Sequence, residues 1–251
     1  MKRLEGKVAV VTGGSRDIGR AVSVKLAKEG AKVCVNYCNN EAKALETLDM
    51  IKEVGGEAIL FKADVTKADE VAAMFAAAAK AFGGRIDILV NNAGGILGRK
   101  TIEEQDEKWF YDLIDLNFKS CWLCTRDVLA YMKDGGSIVN ISSQAARDGG
   151  GAGSSIYACS KAAVLCHTRA MAKELGPRGV RVNAVCPGMI NTYFHDTFTK
   201  PEGRAALHRS APLRREGEAP EVADLVCYLA SDESSYITGN GVDINGGCLF
   251  S

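Results

Sequence analysis

Several features are missing from this sequence. There is no charge bias: Lys plus Arg number 31, Asp plus Glu number 31, and no run of like charges or basic tail stands out. That balance excludes the electrostatic footprint of a nucleic-acid binder, so no nucleic-acid partner is expected. No stretch approaches the ~18 consecutive apolar residues that a bilayer span needs, and no membrane partner is expected. No apolar leader precedes the first β-branched run. Met1-Lys2-Arg3-Leu4-Glu5-Gly6 leads straight into it, and the expected location is cytoplasmic. There is no internal repeat, low-complexity tract or linker. Histidine is scarce. His167, His195 and His208 are scattered, with no Cys or carboxylate at ligand spacing, so no metal site is expected.

Cysteine, by contrast, is plentiful. The nine residues (Cys34, Cys38, Cys121, Cys124, Cys159, Cys166, Cys186, Cys227 and Cys248) are odd in number and spread along the chain. They read as free thiols in a reducing compartment. Cys121-Trp122-Leu123-Cys124 has the spacing of a redox pair, but it lies inside an apolar helical pattern and reads as structural thiols.

What is present is an ordinary globular composition, 47% hydrophobic and 25% charged. Short, nearly continuous apolar runs alternate with longer helical patterns. The strand candidates are Val8–Thr12, Lys32–Asn36, Ala58–Ala63, Ile86–Val90, Ser137–Ser142, Val180–Val185 and Gly241–Asn245. The helix candidates are Ile18–Glu29, Glu41–Val54, Ala68–Phe82, Glu103–Ile114, Asn117–Met132, Ser155–Gly176 and Ala219–Ala230. Thr66 and Asp69 have capping-box spacing before the third of these helices. Such alternation predicts an α/β fold: a single doubly wound Rossmann-type domain over residues 1–251, with a seven-stranded parallel sheet.

Between the first strand and helix lies Thr12-Gly13-Gly14-Ser15-Arg16-Asp17-Ile18-Gly19. A glycine turn there lets backbone approach an anion, and the helix N-terminal N–H groups meet it. Gly13, Ser15, Arg16 and Ile18 are therefore candidate contacts to a dinucleotide. The second strand ends in Asn36-Tyr37-Cys38, with no acid before Glu41. A carboxylate there would bind ribose hydroxyls and repel a 2′-phosphate. Its absence, with Arg16 as a charge-assisted donor, favours NADP(H) over NAD(H) and adds Asn36 and Tyr37 to the candidates.

Tyr157 and Lys161 stand four apart on a helical pattern and share a face. A free phenol, with a pKa near ~10, is a poor base at neutral pH. A neighbouring ammonium is expected to favour the phenolate and lower that value. Tyr157 then serves as general acid or base at a carbonyl or alcohol oxygen, and Ser143 can hydrogen-bond the same oxygen.

These residues, taken in order, resemble the short-chain dehydrogenase/reductase family from Gly6 to Gly247. The motifs are the glycine turn, Asp64-Val65, Asn91-Asn92-Ala93-Gly94, Asn117, Ser143, Tyr157-Ala158-Cys159-Ser160-Lys161 and Pro187-Gly188. The resemblance implies a catalytic set of Asn117, Ser143, Tyr157 and Lys161, with Asn117 supporting a water that leads to Lys161. It implies that Asp64 and Val65 flank the adenine, and that Asn91, Ala93 and Gly94 line the dinucleotide. Lys161 would bind the nicotinamide ribose. Ile190 and Thr192, just past Pro187 and Gly188, would approach the carboxamide. It also implies a substrate lid from Thr192 to about Arg215, in which Lys200-Pro201-Glu202-Gly203 reads as a turn, and assembly as a homodimer or homotetramer. The apolar end of Val242–Leu249 is a candidate subunit contact.

Two departures from the family pattern stand out. Asp17 occupies a position usually held by glycine; it is expected to cap the helix or face solvent. Ser143 precedes Tyr157 by 14 residues, one more than is common, and the Gly149–Gly153 loop can absorb the extra residue. Ser142 is expected to point the other way. Overall the chain looks most like bacterial 3-oxoacyl-carrier-protein reductases. Of the two arginines those enzymes use for carrier docking, Arg178 matches one position and Ala130 occupies the other. Three functions stay open: an NADPH-dependent ketone or 3-oxoacyl-thioester reductase; a sugar, polyol or steroid-like alcohol dehydrogenase; and a non-catalytic NADP(H)-binding protein.

Overall fold

Strands that are apolar on both faces must be covered on both faces, and Val8–Val11, Ile88–Asn91 and Ser137–Ile141 are buried at every position. The computed structural model describes residues 2–199 and 201–250; the side chains of residues 207 and 208 lie outside the description. Lys200 and the His208 side chain, both weighed above, fall among the residues left out.

The strands are β1 (Val8–Val11), β2 (Lys32–Tyr37), β3 (Glu57–Lys62), β4 (Ile88–Asn91), β5 (Ser137–Ile141), β6 (Arg181–Pro187) and β7 (Gly241–Ile244). They form one seven-stranded sheet in the order β3-β2-β1-β4-β5-β6-β7, every pair parallel. This is the order of a Rossmann-like α/β fold, with the chain reversing direction across the sheet between β1 and β4.

The helices are α1 (Asp17–Lys28), α2 (Glu41–Glu53), α3 (Ala68–Ala81), α4 (Glu107–Ile114), α5 (Ser120–Val128), α6 (Ser155–Leu175), α7 (Tyr193–Phe198), α8 (Pro201–Ser210) and α9 (Ala219–Ala230). Neighbouring strand residues point to opposite faces, and the core divides by that parity. Ala9, Val11, Val33, Val35, Ile88 and Val90 pack with Val22 and Leu26 of α1 and Val222 and Val226 of α9. Val8, Val10, Cys34, Leu89 and Ile138 pack on the other face with Phe75 of α3, Leu123 of α5 and Leu175 of α6. Cys121 and Cys124 are buried thiols.

Some local expectations change. The helical patterns around residues 103–132 are joined: α4 runs through a π-helical turn (Asp115–Lys119) into α5, which ends at Val128. The Thr66–Asp69 capping box does not form, because the Thr66 hydroxyl donates back to Asp64 Oδ1 at 2.7 Å. Pro201 does not make a turn but opens α8, where a first-turn proline costs no hydrogen bond. On either side of α7 and α8, Ile190 and Asn191 pair in parallel with Gly217 and Glu218. Among the described residues, no helix is long and apolar enough to cross a membrane.

Candidate active site

Ligands of such sheets bind beyond the C-terminal strand ends, where the order reverses. A cleft of about 780 Å³ lies there, bordered by the glycine turn, the end of β5, the start of α6 and α7. Its floor depends on close backbone approach. Gly13 has φ +61°, a left-handed conformation that glycine adopts without strain, and its N–H donates to Asn36 Oδ1 at 3.0 Å. A Cβ on Gly19 would overlap the Gly13 carbonyl oxygen. The turns after β1 and β4 are tied together. Asn92 Nδ2 donates to the carbonyls of Thr12 (2.9 Å) and Gly13 (3.0 Å), while the Thr12 hydroxyl accepts from the N–H groups of Asn92 and Ala93.

Helix α6 carries Tyr157 and, one turn later, Lys161. Tyr157 is half-buried and Lys161 is buried. Lys161 Nζ donates to the Ile141 carbonyl at 2.9 Å and stands 6.0 Å from the centre of the Tyr157 ring. Burial pulls its pKa down to about 8. Burial also pushes the Tyr157 phenol up, against a smaller opposite pull from the Ser143 hydroxyl. The expected lowering by Lys161 is thus corrected for the chain alone: the ammonium is engaged by a carbonyl, and desolvation of the phenolate dominates. Both serines border the cleft, but their hydroxyls differ: Ser142 is buried and donates to the Lys161 carbonyl at 2.8 Å, whereas Ser143 accepts from Ala145 N–H at 3.1 Å.

Asn117 lies in the π turn, a local widening often found at functional sites. Its amide clamps Gly95 from both sides, donating to the carbonyl and accepting from the N–H, each at 2.9 Å. A Cβ on Gly94 would stand 2.7 Å from Asn117 Oδ1 and 2.9 Å from Lys161 Nζ. Glycine is therefore what fits between them.

Of the candidates, Gly13, Ser15, Arg16, Ile18, Tyr37, Ala93, Gly94, Ser143, Tyr157, Lys161, Pro187, Gly188, Ile190 and Thr192 line the cleft. Asp64 and Val65 line an adjoining hollow of about 310 Å³. Asn36 touches that hollow, but its amide is committed to Gly13 N–H and to the Ala63 carbonyl (3.0 Å), so it is a strut under the turn. Asn91 points into the protein, donating to Thr125 (3.2 Å) and Asn140 (2.9 Å), and Asn117 is buried behind Gly95. The sequence reading missed Asn92 as the cross-tie, although its motif was in view. It also missed Asn39 and Asn40 on the cleft wall. Asn40 left a readable sign, a helix N-cap just before Glu41, which accepts from Lys43 N–H at 3.0 Å.

Helix α7 carries aromatic side chains beside the site. Phe194 lies 5.9 Å from the Tyr157 ring, and Phe198 lies 5.5 Å from Phe194. Burial lowers the His195 pKa to about 4, so its imidazole is neutral at pH 7. Asp17 is the first residue of α1, with Arg16 at the cap position, and its side chain stays 30% exposed. It holds φ +51°, and its Oδ1 accepts from the Tyr193 N–H at 3.3 Å. Arg16 stacks on the Tyr193 ring, 4.6 Å from its centre.

The parallel sheet and the cleft at its switch point define a Rossmann-like oxidoreductase of the nicotinamide-binding class. The chain belongs to the short-chain dehydrogenase/reductase family. A family model described as enoyl-(acyl carrier protein) reductase matches residues 13–248. The chain is similar to an uncharacterized oxidoreductase of Methylorubrum extorquens (39% identity; 98% of this chain, 99% of that protein). It is similar to a 3-oxoacyl-(acyl-carrier-protein) reductase of Staphylococcus aureus (37%; 96% of this chain, 97% of that protein). A solved short-chain dehydrogenase from Burkholderia cenocepacia, in complex with NADP, superposes with TM-score 0.92 at 34% identity (98% of this chain, 99% of that chain). Such enzymes act on the carbonyl or alcohol groups of small molecules with a nicotinamide coenzyme.

Proposed function

We propose that this protein is an NADP(H)-dependent oxidoreductase that interconverts a ketone and a secondary alcohol, with residues 1–251 acting as one unit under a lid of about 192–215. One observation carries this reading. Ser143, Tyr157 and Lys161 line one end of a cleft whose other end is the glycine turn. The cleft suits a dinucleotide, because its wall at the glycine turn is backbone that leads directly into the N-terminus of α1, where N–H groups can meet phosphate oxygens.

Gly13, Ser15 and Ile18 would hold the pyrophosphate, and Asp64 and Val65 the adenine. Ala93 and Gly94 would line the dinucleotide, with Asn91 and Asn36 acting from below. Lys161 would take the ribose, and Pro187, Gly188, Ile190 and Thr192 the carboxamide end. When bound, the nicotinamide supplies or accepts the hydride. Tyr157 donates its proton to the carbonyl oxygen in reduction and removes one from the alcohol in oxidation. Its raised pKa keeps it protonated at neutral pH, poised as an acid. Ser143 hydrogen-bonds the same oxygen and stabilises developing charge. Asn117 acts through Gly95, and with Lys161 supports proton resupply.

The preference for NADP(H) rests on the end of β2. Tyr37, Cys38, Asn39 and Asn40 face the cleft opposite Arg16, and the nearest acid there, Glu41, accepts the Tyr37 hydroxyl at 3.3 Å. The NADP complex of the Burkholderia relative supports this preference. For the substrate, similarity to the Staphylococcus reductase favours a 3-oxoacyl thioester. The Phe194–Phe198 pair favours a bulky apolar ketone or alcohol, steroid-like rather than sugar or polyol. Carrier docking has less support: Arg178 is engaged by the Met132 carbonyl (2.8 Å) and Asp134 (3.3 Å), and Ala130 has no charge. We place the protein in the cytoplasm as a homodimer or homotetramer.

The test is NADPH consumption by purified protein against thioester, diketone and sugar panels, with Tyr157→Phe as control. The variant should lose about 10²–10⁴-fold in kcat. Full activity in Tyr157→Phe would sink the mechanism. Inactivity of the parent across all panels would favour a non-catalytic binding protein.

A further inference from the structure

Asp17 is out of place by two measures. Its backbone is left-handed, a conformation that side chains disfavour and glycine accepts. Its carboxylate also stands beside a turn suited to phosphate groups. What it does with that carboxylate is specific: Oδ1 accepts the Tyr193 N–H at 3.3 Å. Arg16 reinforces the contact, with its guanidinium 4.6 Å from the centre of the Tyr193 ring and its Nε 3.7 Å from Asp17 Oδ2. Two residues of the glycine turn therefore hold the first residue of α7.

The far end of α7 is held separately. Arg99 Nε donates to the Phe198 carbonyl at 3.2 Å, and its Nη1 to the Ala152 carbonyl at 3.1 Å. Between these anchors sits Phe194, packed over Tyr157. Arg16, Asp17 and Tyr193 all line the same cleft, so the contact closes across its coenzyme end.

We propose that Asp17 is a positioning residue that fastens the lid to the phosphate-binding turn, so that coenzyme release must part the two. The proposal rests on the coenzyme reading above. With the Asp17 contact gone, the start of α7 loses its tie to the glycine turn, while Arg99 at Phe198 (3.2 Å) and Arg204 at Asp196 (2.6 Å) still hold the rest. Phe194 then loses its fixed place over Tyr157, and the coenzyme end opens more often.

The experiment compares NADPH dissociation rates, by stopped-flow displacement, and amide exchange at residues 193–198 in four variants. Asp17→Gly relieves the backbone and removes the acceptor. Asp17→Asn keeps an amide oxygen acceptor and tolerates the left-handed backbone. Tyr193→Ala removes the ring that Arg16 stacks on, and Tyr193→Phe keeps it. Asp17→Gly and Tyr193→Ala should release NADPH about tenfold faster and exchange faster at 193–198. Asp17→Asn and Tyr193→Phe should stay within about twofold of the parent. Parent-like dissociation and exchange in Asp17→Gly overturns the proposal, as does Asp17→Asn behaving like Asp17→Gly. A parent that binds NADPH but reduces no carbonyl refutes the proposed activity, while the dissociation rates still decide the fastening. If the parent binds no NADPH, the coenzyme reading fails, and amide exchange alone decides whether Asp17 holds the lid.

Discussion

Replacing Lys161 by Met should change how stability varies with pH, by an amount the burial of this residue sets. Lys161 is 4% exposed, with its pKa drawn from 10.5 to about 8 by desolvation. The folded value is depressed, so between about 8 and 10.5 the unfolded chain binds a proton that the folded chain has shed. Stability from this group therefore rises with pH through that window. Below it both states are protonated, and the cost of burying the ammonium is complete, at roughly 3 kcal/mol. Between pH 7 and pH 10 about 2.5 kcal/mol of that cost is relieved. Lys161→Met has no such dependence. The stability difference should shift against the variant by about 2.5 kcal/mol over that range. Loss of the bond to the Ile141 carbonyl adds an offset of about 1–3 kcal/mol that does not vary with pH. Urea unfolding of both proteins at pH 7 and 10, at one protein concentration, reads this directly. A difference constant to within about 0.5 kcal/mol would mean that Lys161 does not carry a depressed pKa, and the electrostatic reasoning at the site would fail.

Other expectations follow from the same geometry. Ser143→Ala should lower kcat about 10²-fold or more. Ser142→Ala should leave kcat within about threefold but cost about 1–2 kcal/mol in denaturant melts, through the lost bond to the Lys161 carbonyl; the reverse pattern would overturn the assignment. Arg16→Ala should weaken NADPH binding at least about tenfold and NADH binding far less; equal losses in titration would remove Arg16 from the 2′-phosphate. Gly19→Ala should destabilise the fold by about 3 kcal/mol in a thermal melt, because its Cβ meets the Gly13 carbonyl oxygen and stands 2.5 Å from Asn92 Nδ2. A parent-like melt would show that the turn can relax.

The seven strands were readable because runs such as Val8–Val11 and Ile88–Val90 are apolar at every position, as strands covered on both faces should be. Tyr157, Lys161 and Ser143 were readable because motif order and helical spacing fix where their Cα atoms stand. What a side chain does with its hydrogen bonds was less legible. Asn36 and Asn91 carry the same amide, and either could face a ligand. Their commitment to Gly13, Ala63, Thr125 and Asn140 depends on residues distant in sequence. The π turn at Asp115–Lys119 showed in the sequence only as a gap between two helical patterns, because its extra residue shifts the apolar face by about 100°. The role of Asp17 needed Tyr193, 176 residues away.

The pairing of β7 with β6, in the register Ala184 with Gly241 through Pro187 with Ile244, has a bearing on biosynthesis. A ribosome completes β6 long before it reaches residue 241. Throughout that interval the outer edge of β6 offers a nascent polypeptide a row of unsatisfied amide and carbonyl groups, open to another chain. Chaperone cover over that edge, or a stop codon placed before β7, should therefore decide between a finished sheet and an insoluble one.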